Sequence, residues 1–247
     1  MEEEQCYVLD HMTWPEFRSA LEKVEIALIP VGSTEQHGPH GTFGVDAGRA
    51  AGFARLLGAK LYPRAVVAPL LPYGVSPHHM KFPGTITLDP ETFLHVCEQI
   101  VDSLHQHGLR KFFFINGHGG NRPALSMLMQ RLMVKYEDSR CGWTSFTSLA
   151  RTARAKHVLS PITGHACEGE MSQALILAPW TFRKEAAVAG DLLVERGFKV
   201  EGIEVPQRFD ILTRNGALGD ATKASETAGE EIVQEALEAA YEYLIRF

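Results

Sequence analysis

Short runs of apolar residues alternate along this chain with longer stretches in which apolar residues recur every three or four positions. Ile26–Val31 (IALIPV) and Lys111–Asn116 (KFFFIN) are the clearest short runs, and residues 66–71 form a similar one. Continuous apolar runs of this length are typical of strands that are buried on both faces. We therefore predict strands at these three places, and a fourth at residues 143–148.

The longer stretches predict helices. The best defined one opens at Asp89-Pro90-Glu91, where Asp89 is placed to cap the helix and Pro90 suits its first turn. Gly108 is a suitable C-terminal stop. The apolar positions of this helix share one face, and they are Phe93, Val96, Cys97, Ile100, Val101 and Leu104. Further helices are predicted at residues 46–57, 122–135 and 222–245.

Apolar strands separated by helices predict an α/β fold with a central, mostly parallel sheet and helices on both of its faces. The chain has no internal repeat, no low-complexity tract and no linker-like stretch. We therefore interpret residues 1–247 as one domain. The pattern of residues 190–219 is harder to interpret, and we assign that region no role.

Composition narrows the classes of partner. Lys and Arg number 24 against 30 Asp and Glu, and no basic run stands out. Nucleic acid and anionic membranes are therefore not expected partners. The start lacks the pattern of a secretory signal, no apolar run approaches the ~18–20 residues of a membrane span, and the 4 cysteines lie far apart. These features favour a cytoplasmic protein with free thiols.

Candidate chemistry follows the ends of the predicted strands. Ligands of open parallel sheets bind outside the carboxyl ends of the strands, so the polar residues there are expected to converge. The segments concerned are Gly32–His40 with Asp46 nearby, Tyr73–His79, Gly117–Asn121 and Thr163–Glu170. All four contain histidine, which predicts one imidazole-rich site at one edge of the sheet.

A metal site is the sharpest interpretation of these residues. Imidazole and carboxylate together suit Zn²⁺, Mn²⁺ or Fe²⁺. Glu35 and His37 are two apart in an extended loop and so point to the same side. Asp46 has two oxygens with which to bridge a pair of ions, and glycines beside His118 allow close approach of the backbone.

Other interpretations of these residues remain open. The Gly-His-Gly-Gly run is also compatible with a tight turn or with part of an oxyanion hole. Cys167 is either a nucleophile or a small packing residue. Glu168 and Glu170 are also compatible with solvated charges in the first turn of a helix, where the helix dipole favours them.

Four blocks of sequence, in order, resemble the creatininase family of metal-dependent hydrolases. They are PVGSTEQHGPH with Asp46, HHMKFPGTITL, NGHGGN and GHACEGEMS. The resemblance implies a mainly parallel α/β fold and two divalent metal ions per subunit, zinc or manganese or both, with iron possible. It also implies a small-molecule substrate and assembly into homo-oligomers, namely hexamers.

The resemblance also implies roles for individual residues. Glu35, His37, Asp46 and His118 match metal-binding positions, with Asp46 at the bridging one. His165 matches a histidine that assists proton transfer in the creatinine-opening member of the family. Ser76 matches a substrate contact, and we place His79 in the substrate site with it.

Two departures from creatininase itself change the expected chemistry. Creatininase has Tyr-Glu after the histidine of NGH, and that Glu binds metal, whereas this chain has Gly119-Gly120. The missing carboxylate is therefore expected from Glu170, with Glu168 assisting His165. The tryptophans that enclose creatinine have no clear equivalents here, so creatinine is not the expected substrate.

We therefore expect a metal-dependent amidohydrolase that cleaves a non-peptide C–N bond of a cyclic amide or formamide, by hydroxide held between the two metals. Within the family, C–C cleavage of a keto-inositol and peptide trimming are the alternatives. An arginine-rich pocket would favour a phosphorylated substrate, and a neutral one a sugar or lactam. A non-catalytic metal- or sugar-binding protein is the alternative from another class. A dinucleotide-dependent oxidoreductase is disfavoured, since no GxGxxG follows the first strand.

Overall fold

The structure, a computed structural model, describes residues 5–194 and 205–247. Its five-stranded sheet is parallel throughout, in the order β1-β3-β2-β4-β5. The strands are β1 (Tyr7–Val8), β2 (Ile26–Val31), β3 (Ala65–Val67), β4 (Lys111–Asn116) and β5 (Arg140–Thr144). The predicted bounds of β2 and β4 are confirmed. β3 is shorter than predicted, and Leu71 makes only an isolated bridge to Val31.

The helices are α1 (Trp14–Ala20), α2 (Val45–Lys60), α3 (Pro90–Gln106), α4 (Arg122–Lys135), α5 (Arg151–His157), α6 (Glu168–Leu177), α7 (Phe209–Leu212) and α8 (Glu226–Leu244). The cap of α3 is confirmed, since the Asp89 side chain accepts from the Thr92 N–H at 2.8 Å. α8 begins later than predicted because the Ser225 hydroxyl caps it, accepting from the Ala228 N–H at 3.2 Å.

The prediction of a strand at residues 143–148 was wrong in its bounds. β5 ends at Thr144, and Phe146–Leu149 forms a 3-10 helix instead. β1, α1, α5 and α7 were not predicted, because each has at most seven residues and so carries little periodic signal.

The two faces of the sheet explain why its central strands are apolar throughout. Ala27, Ile29 and Val31 of β2 pack in one cluster with residues of α3 and α4. Ile26 and Leu28 point the other way, into a cluster with α2 and α8. Alternate side chains of one strand therefore enter different cores, and burial of each Ile, Leu or Val side chain is worth about 1.5–3 kcal/mol. This confirms the predicted α/β fold with helices on both faces.

The order of the strands fixes where polar residues gather. From β2 the chain passes through α2 to β3 on one side, and then through α3 to β4 on the other side. The crevice at the carboxyl ends of β2 and β4 is thus the switch point at which open sheets bind ligands.

In the described ranges no helix is both long and apolar enough to cross a bilayer. Cys6, Cys97, Cys141 and Cys167 all carry free thiols, as predicted. Residues 1–4 of the predicted signal-free start, and residues 195–204 of the region left without a role, lie outside the described residues.

Candidate metal centre

Four predicted ligands meet in the crevice between β2 and β4. Glu35 and His37 follow β2, Asp46 is in the first turn of α2, and His118 follows β4. Each of the four is at most 4% exposed. Buried carboxylates and imidazoles at this density are costly unless they are paired or bind a cation.

Asp46 lies between the two histidines. Its Oδ2 is 3.0 Å from Nδ1 of His118, and that nitrogen is also 3.2 Å from Oε1 of Glu35. Its Oδ1 is 3.3 Å from Nε2 of His37, which is also 3.7 Å from Oε2 of Glu170. The two oxygens of one carboxylate thus face two separate sets of donors.

The outer nitrogens of both imidazoles are fixed by backbone carbonyls. Nδ1–H of His37 donates to the carbonyl of Glu35 at 3.2 Å, and Nε2–H of His118 donates to the carbonyl of Val75 at 3.0 Å. Metal-binding histidines characteristically use their second ring nitrogen in this way. The inner Nε2 of His37 and the Oδ2 of Asp46 are buried and have no hydrogen-bond partner. The residues present therefore fit a divalent metal ion.

The charges point the same way. Burial alone would lower the pKa of His118, but the carboxylates of Glu35 and Asp46 outweigh it and hold that pKa well above its usual value. Burial also opposes the charged form of His37, yet Asp46 and Glu170 raise its pKa to about 9. The cluster thus favours positive charge, and metal ions satisfy the same carboxylates in competition with protons.

Glu170 approaches from the first turn of α6. Its Oε2 accepts from the N–H of Ala166 at 2.6 Å, and Arg49 donates to its Oε1. Ala166 holds a left-handed backbone conformation (φ 51°), which is unfavourable for a residue with a side chain and costs about 1–3 kcal/mol. This turn aims both His165 and Glu170 at the crevice.

No side chain fits at Gly120, one of the two glycines that depart from creatininase. A Cβ there would clash with the carbonyl oxygen of Val75 and with the ring of His118. The carboxylate nearest His37, apart from Asp46, therefore comes from α6 and not from the NGHGGN loop.

Glu168 is buried, but its carboxylate connects loops instead of joining this cluster. Its two oxygens accept from the N–H groups of Ser160, at 2.8 Å, and Asp220, at 3.0 Å. Among the described residues, the groups of side chains close enough to share a metal ion do not include it.

His165 has one nitrogen fixed and one facing the cluster. Its Nε2–H donates to the carbonyl of Gln36 at 2.8 Å, and its Nδ1 is 3.8 Å from Oε1 of Glu35. Burial, together with His37 and His79, holds the pKa of His165 well below its usual value, so the imidazole is neutral. A neutral imidazole with a bare Nδ1 can accept a proton at that atom.

Ser76 and His79 both contact Glu35. The Ser76 hydroxyl donates to Oε2 of Glu35 at 2.5 Å, and Nε2 of His79 is 3.3 Å from Oε1. The side-chain amide of Gln36 donates to Nδ1 of His79 at 2.9 Å, so the Nε2 of His79 carries the hydrogen. Both residues are at most 1% exposed.

Three residues of the site were not predicted. Gln36 is part of the PVGSTEQHGPH motif, and Arg49 follows Asp46 by one helical turn. The sequence therefore contained information from which both could have been found. It contained none for Phe209 of α7, yet the Phe209 ring lies 4.0 Å from that of His79 and 4.7 Å from that of His165. Phe209 belongs to residues 190–219, the region that was assigned no role. The described part of that region therefore packs over His79 and His165.

Cys167 is not a reactive thiolate. Burial and the neighbouring Glu170 raise the pKa of its thiol, so it stays protonated. Of the two predicted alternatives, this environment favours the packing role.

The chain is similar to proteins of known activity. It is 32% identical over 218 residues to the mycofactocin precursor peptide peptidase of Mycolicibacterium smegmatis, covering 86% of this chain and 81% of that protein. It is 27% identical over 259 aligned positions to the 3-dehydro-scyllo-inosose hydrolase of Thermotoga maritima, covering 94% and 79%.

The fold is shared with a solved structure, that of a putative creatinine amidohydrolase from Bacteroides fragilis. The TM-score is 0.83 at 24% identity, over 98% of this chain and 96% of that one. A sequence model of the creatininase family, described as creatinine amidohydrolase, matches residues 10–244. This match spans nearly the whole chain, and it agrees with the four sequence motifs. The protein therefore belongs to the creatininase family.

Proposed function

We propose that this protein is a divalent-metal-dependent hydrolase that cleaves an amide C–N bond. One observation carries the proposal. The outer ring nitrogens of His37 and His118 are fixed by backbone carbonyls, while their inner nitrogens face the two oxygens of the single carboxylate of Asp46. Asp46, His37 and His118, with Glu35 and Glu170 beside them, would hold a pair of divalent ions.

Each ion has its own set of ligands in this proposal. Glu35, His118 and Asp46 would hold one ion, and His37, Asp46 and Glu170 would hold the other. The mixed nitrogen and oxygen donors suit zinc or manganese, with iron also compatible. When bound, such ions supply Lewis acidity at a carbonyl oxygen and lower the pKa of water.

His165 moves the proton. Its Nε2–H is held by the carbonyl of Gln36, so Nδ1 is the atom that takes a proton from the attacking water and returns it to the leaving nitrogen. Because burial and the neighbouring histidines lower the pKa of His165, its Nδ1 is unprotonated before the reaction.

Ser76 and His79 hold Glu35 in place through both of its oxygens. Contact of Ser76 and His79 with substrate stays a prediction. For Glu168 we propose a positioning role, because both of its oxygens hold the loops at Ser160 and Asp220.

The proposed substrate is an amide. This class includes short peptides as well as cyclic amides and formamides. The peptidase that is 32% identical supports peptides, although the sequence-based prediction was a non-peptide C–N bond. The inosose hydrolase supports C–C cleavage as the second candidate. Homo-oligomers, hexamers in particular, and a cytoplasmic location stay predictions.

Metal analysis joined to a substrate screen tests the proposal. We expect two divalent ions per chain and metal-dependent turnover of an amide in a panel of peptides, cyclic amides, formamides and keto-inositols. His118→Ala should lower metal affinity by more than about 100-fold, since even groups that only support ligands contribute 10–100-fold. His95→Ala, on the exposed side of α3, is the matched control and should behave as the wild type.

Turnover that survives complete metal removal would contradict the proposal. Turnover of keto-inositols alone would replace amide cleavage by C–C cleavage on the same site. Metal binding without any turnover would support the non-catalytic alternative.

A further inference from the structure

A small cavity of about 50 Å³ lies beside Glu170. It is enclosed by α5, by the start of α6 and by the 3-10 helix after β5, with α2 contributing Arg49. Its walls include Arg49, Arg154, Thr147, Cys167 and Glu170. Because Glu170 also faces His37, this cavity adjoins the candidate metal centre.

The charged groups of the cavity are predominantly cationic. Arg49 and Arg154 contribute two guanidinium groups against the one carboxylate of Glu170, and Arg49 already pairs with that carboxylate.

One buried donor at the cavity lacks an acceptor, and a second, partly exposed cation has no acidic partner. The Nε–H of Arg49 is buried, and it has no hydrogen-bond partner. Arg154 is half-buried. Within residues 5–194 and 205–247, it forms no salt bridge with an acidic side chain. A buried N–H without an acceptor is energetically costly, so an acceptor is expected there.

We propose that this cavity binds a carboxylate group of the substrate, with Arg154 as the main specificity-determining residue. The inference rests on the proposed function, because it places the carboxylate next to the bond that is cleaved. For a peptide substrate, the group would be the carboxyl terminus, and cleavage would occur near that end.

The volume of the cavity selects among anions. A space of about 50 Å³ holds a few water molecules, since one needs ~10–15 Å³. A flat carboxylate fits that space and the fork of a guanidinium. Arginines in the pocket would by themselves suggest a phosphorylated substrate, but the small volume favours a carboxylate.

The first test compares matched substrates. Peptides that turn over are assayed with a free carboxyl terminus and with a terminal amide, in the wild type, Arg154→Met, Arg154→Lys and Arg151→Met. The wild type should show a KM about 10- to 100-fold lower for the acid, the range of a charge-assisted hydrogen bond. Arg154→Met should remove this preference without changing kcat, Arg154→Lys should restore part of it, and Arg151→Met, on the same helix, should keep it.

The second test needs no turnover. Acetate and inorganic phosphate are titrated against the metal-loaded protein while the melting temperature is recorded. Acetate should stabilise the wild type and Arg151→Met more than Arg154→Met, whereas phosphate should not distinguish the three. Any response common to all variants is assigned to the metal centre.

Equal KM values for acid and amide, or an acetate response that is identical in Arg154→Met and the wild type, would overturn the inference. A stronger response to phosphate at Arg154 would overturn it too. If no amide is turned over, the proposed function fails, and the acetate titration still decides whether the cavity binds a carboxylate.

Discussion

The two edges of the same sheet treat charge in opposite ways. At the amino edge, Glu25 lies just before β2 and pairs with Arg64 at 2.9 Å and with Lys111 at 3.0 Å. These three side chains are between 28% and 44% exposed. At the carboxyl edge, the side chains of Glu35, Asp46 and His118 are at most 4% exposed and crowd together.

The difference shows where function is built. Charges at the amino edge neutralise each other in water, so each pair contributes only about 0.2–1 kcal/mol. At the carboxyl edge two acids, Asp46 and Glu170, share one permanent cation, Arg49, and inner atoms of His37 and Asp46 lack partners. The acidic groups at the carboxyl edge need an additional cation to balance their charge, whereas the charges at the amino edge balance each other.

The largest expected effect is on kcat, and it compares one histidine at the carboxyl edge with one at the amino edge. His165→Asn should lower kcat by about 10²- to 10⁴-fold, the usual contribution of general acid–base catalysis, while both metal ions stay bound. At the amino edge, His105 pairs with the exposed Asp138 at 3.3 Å and stacks on Tyr136, far from the candidate metal centre, so His105→Asn should leave kcat unchanged. Steady-state kinetics and metal analysis check both. A full loss of metal in His165→Asn would make His165 a ligand instead.

Matched arginines compare the stability of the edges. Arg49 is 2% exposed, and it donates to Asp46 and to the carbonyl of Gly117, each at 3.1 Å, and to Glu170. Arg49→Met should cost about 3–5 kcal/mol in metal-free protein, because it leaves buried acids unpaired. Arg64→Met should cost about 0.2–1 kcal/mol. Urea unfolding with chelator measures both, and equal losses would remove the distinction between the edges.

Two neighbouring glutamates at the carboxyl edge, Glu168 and Glu170, are expected to have different roles. Glu170→Gln should lose one of two metal ions per chain. Glu168→Gln should keep both but lower the free energy of unfolding by about 1.5–3 kcal/mol, since it weakens charge-assisted hydrogen bonds to Ser160 and Asp220. Equilibrium dialysis and thermal unfolding distinguish them. If instead Glu168→Gln loses the ion, the ligand assignment moves to Glu168.

The smallest effect concerns pH at the amino edge. Hydrogen bonds from Arg64 and Lys111 lower the pKa of Glu25 from 4.5 to about 2. The stabilisation is therefore present above pH 4.5 and is lost as the pH falls towards 2. Glu25→Gln should be less stable by under ~1 kcal/mol at pH 7, and the gap should close with acid or salt. A gap that is constant from pH 7 to acid would show that these ion pairs contribute nothing.

Much of the fold could be predicted because its signals are local. β2 and β4 are apolar throughout since both of their faces are buried, and the Asp89 cap marks the start of α3. Short elements such as α5 and α7 escaped, because their few residues show no period. The 3-10 helix after β5 was mistaken for the continuation of a strand, since its apolar Phe146 resembles a buried strand residue in the sequence and is indeed buried.

The sequence by itself determined which residues exit the strands, and thus that Glu35, His37 and His118 share an edge of the sheet with Asp46. Only the tertiary structure decided which carboxylate oxygen faces which imidazole, that Glu170 and not Glu168 turns inward, and that Phe209 and Arg154 border the site. The reason is physical. The positions of the strands and helices along the chain follow from local patterns, whereas contacts below 4 Å between distant segments depend on how helices such as α6 and α7 pack against the sheet.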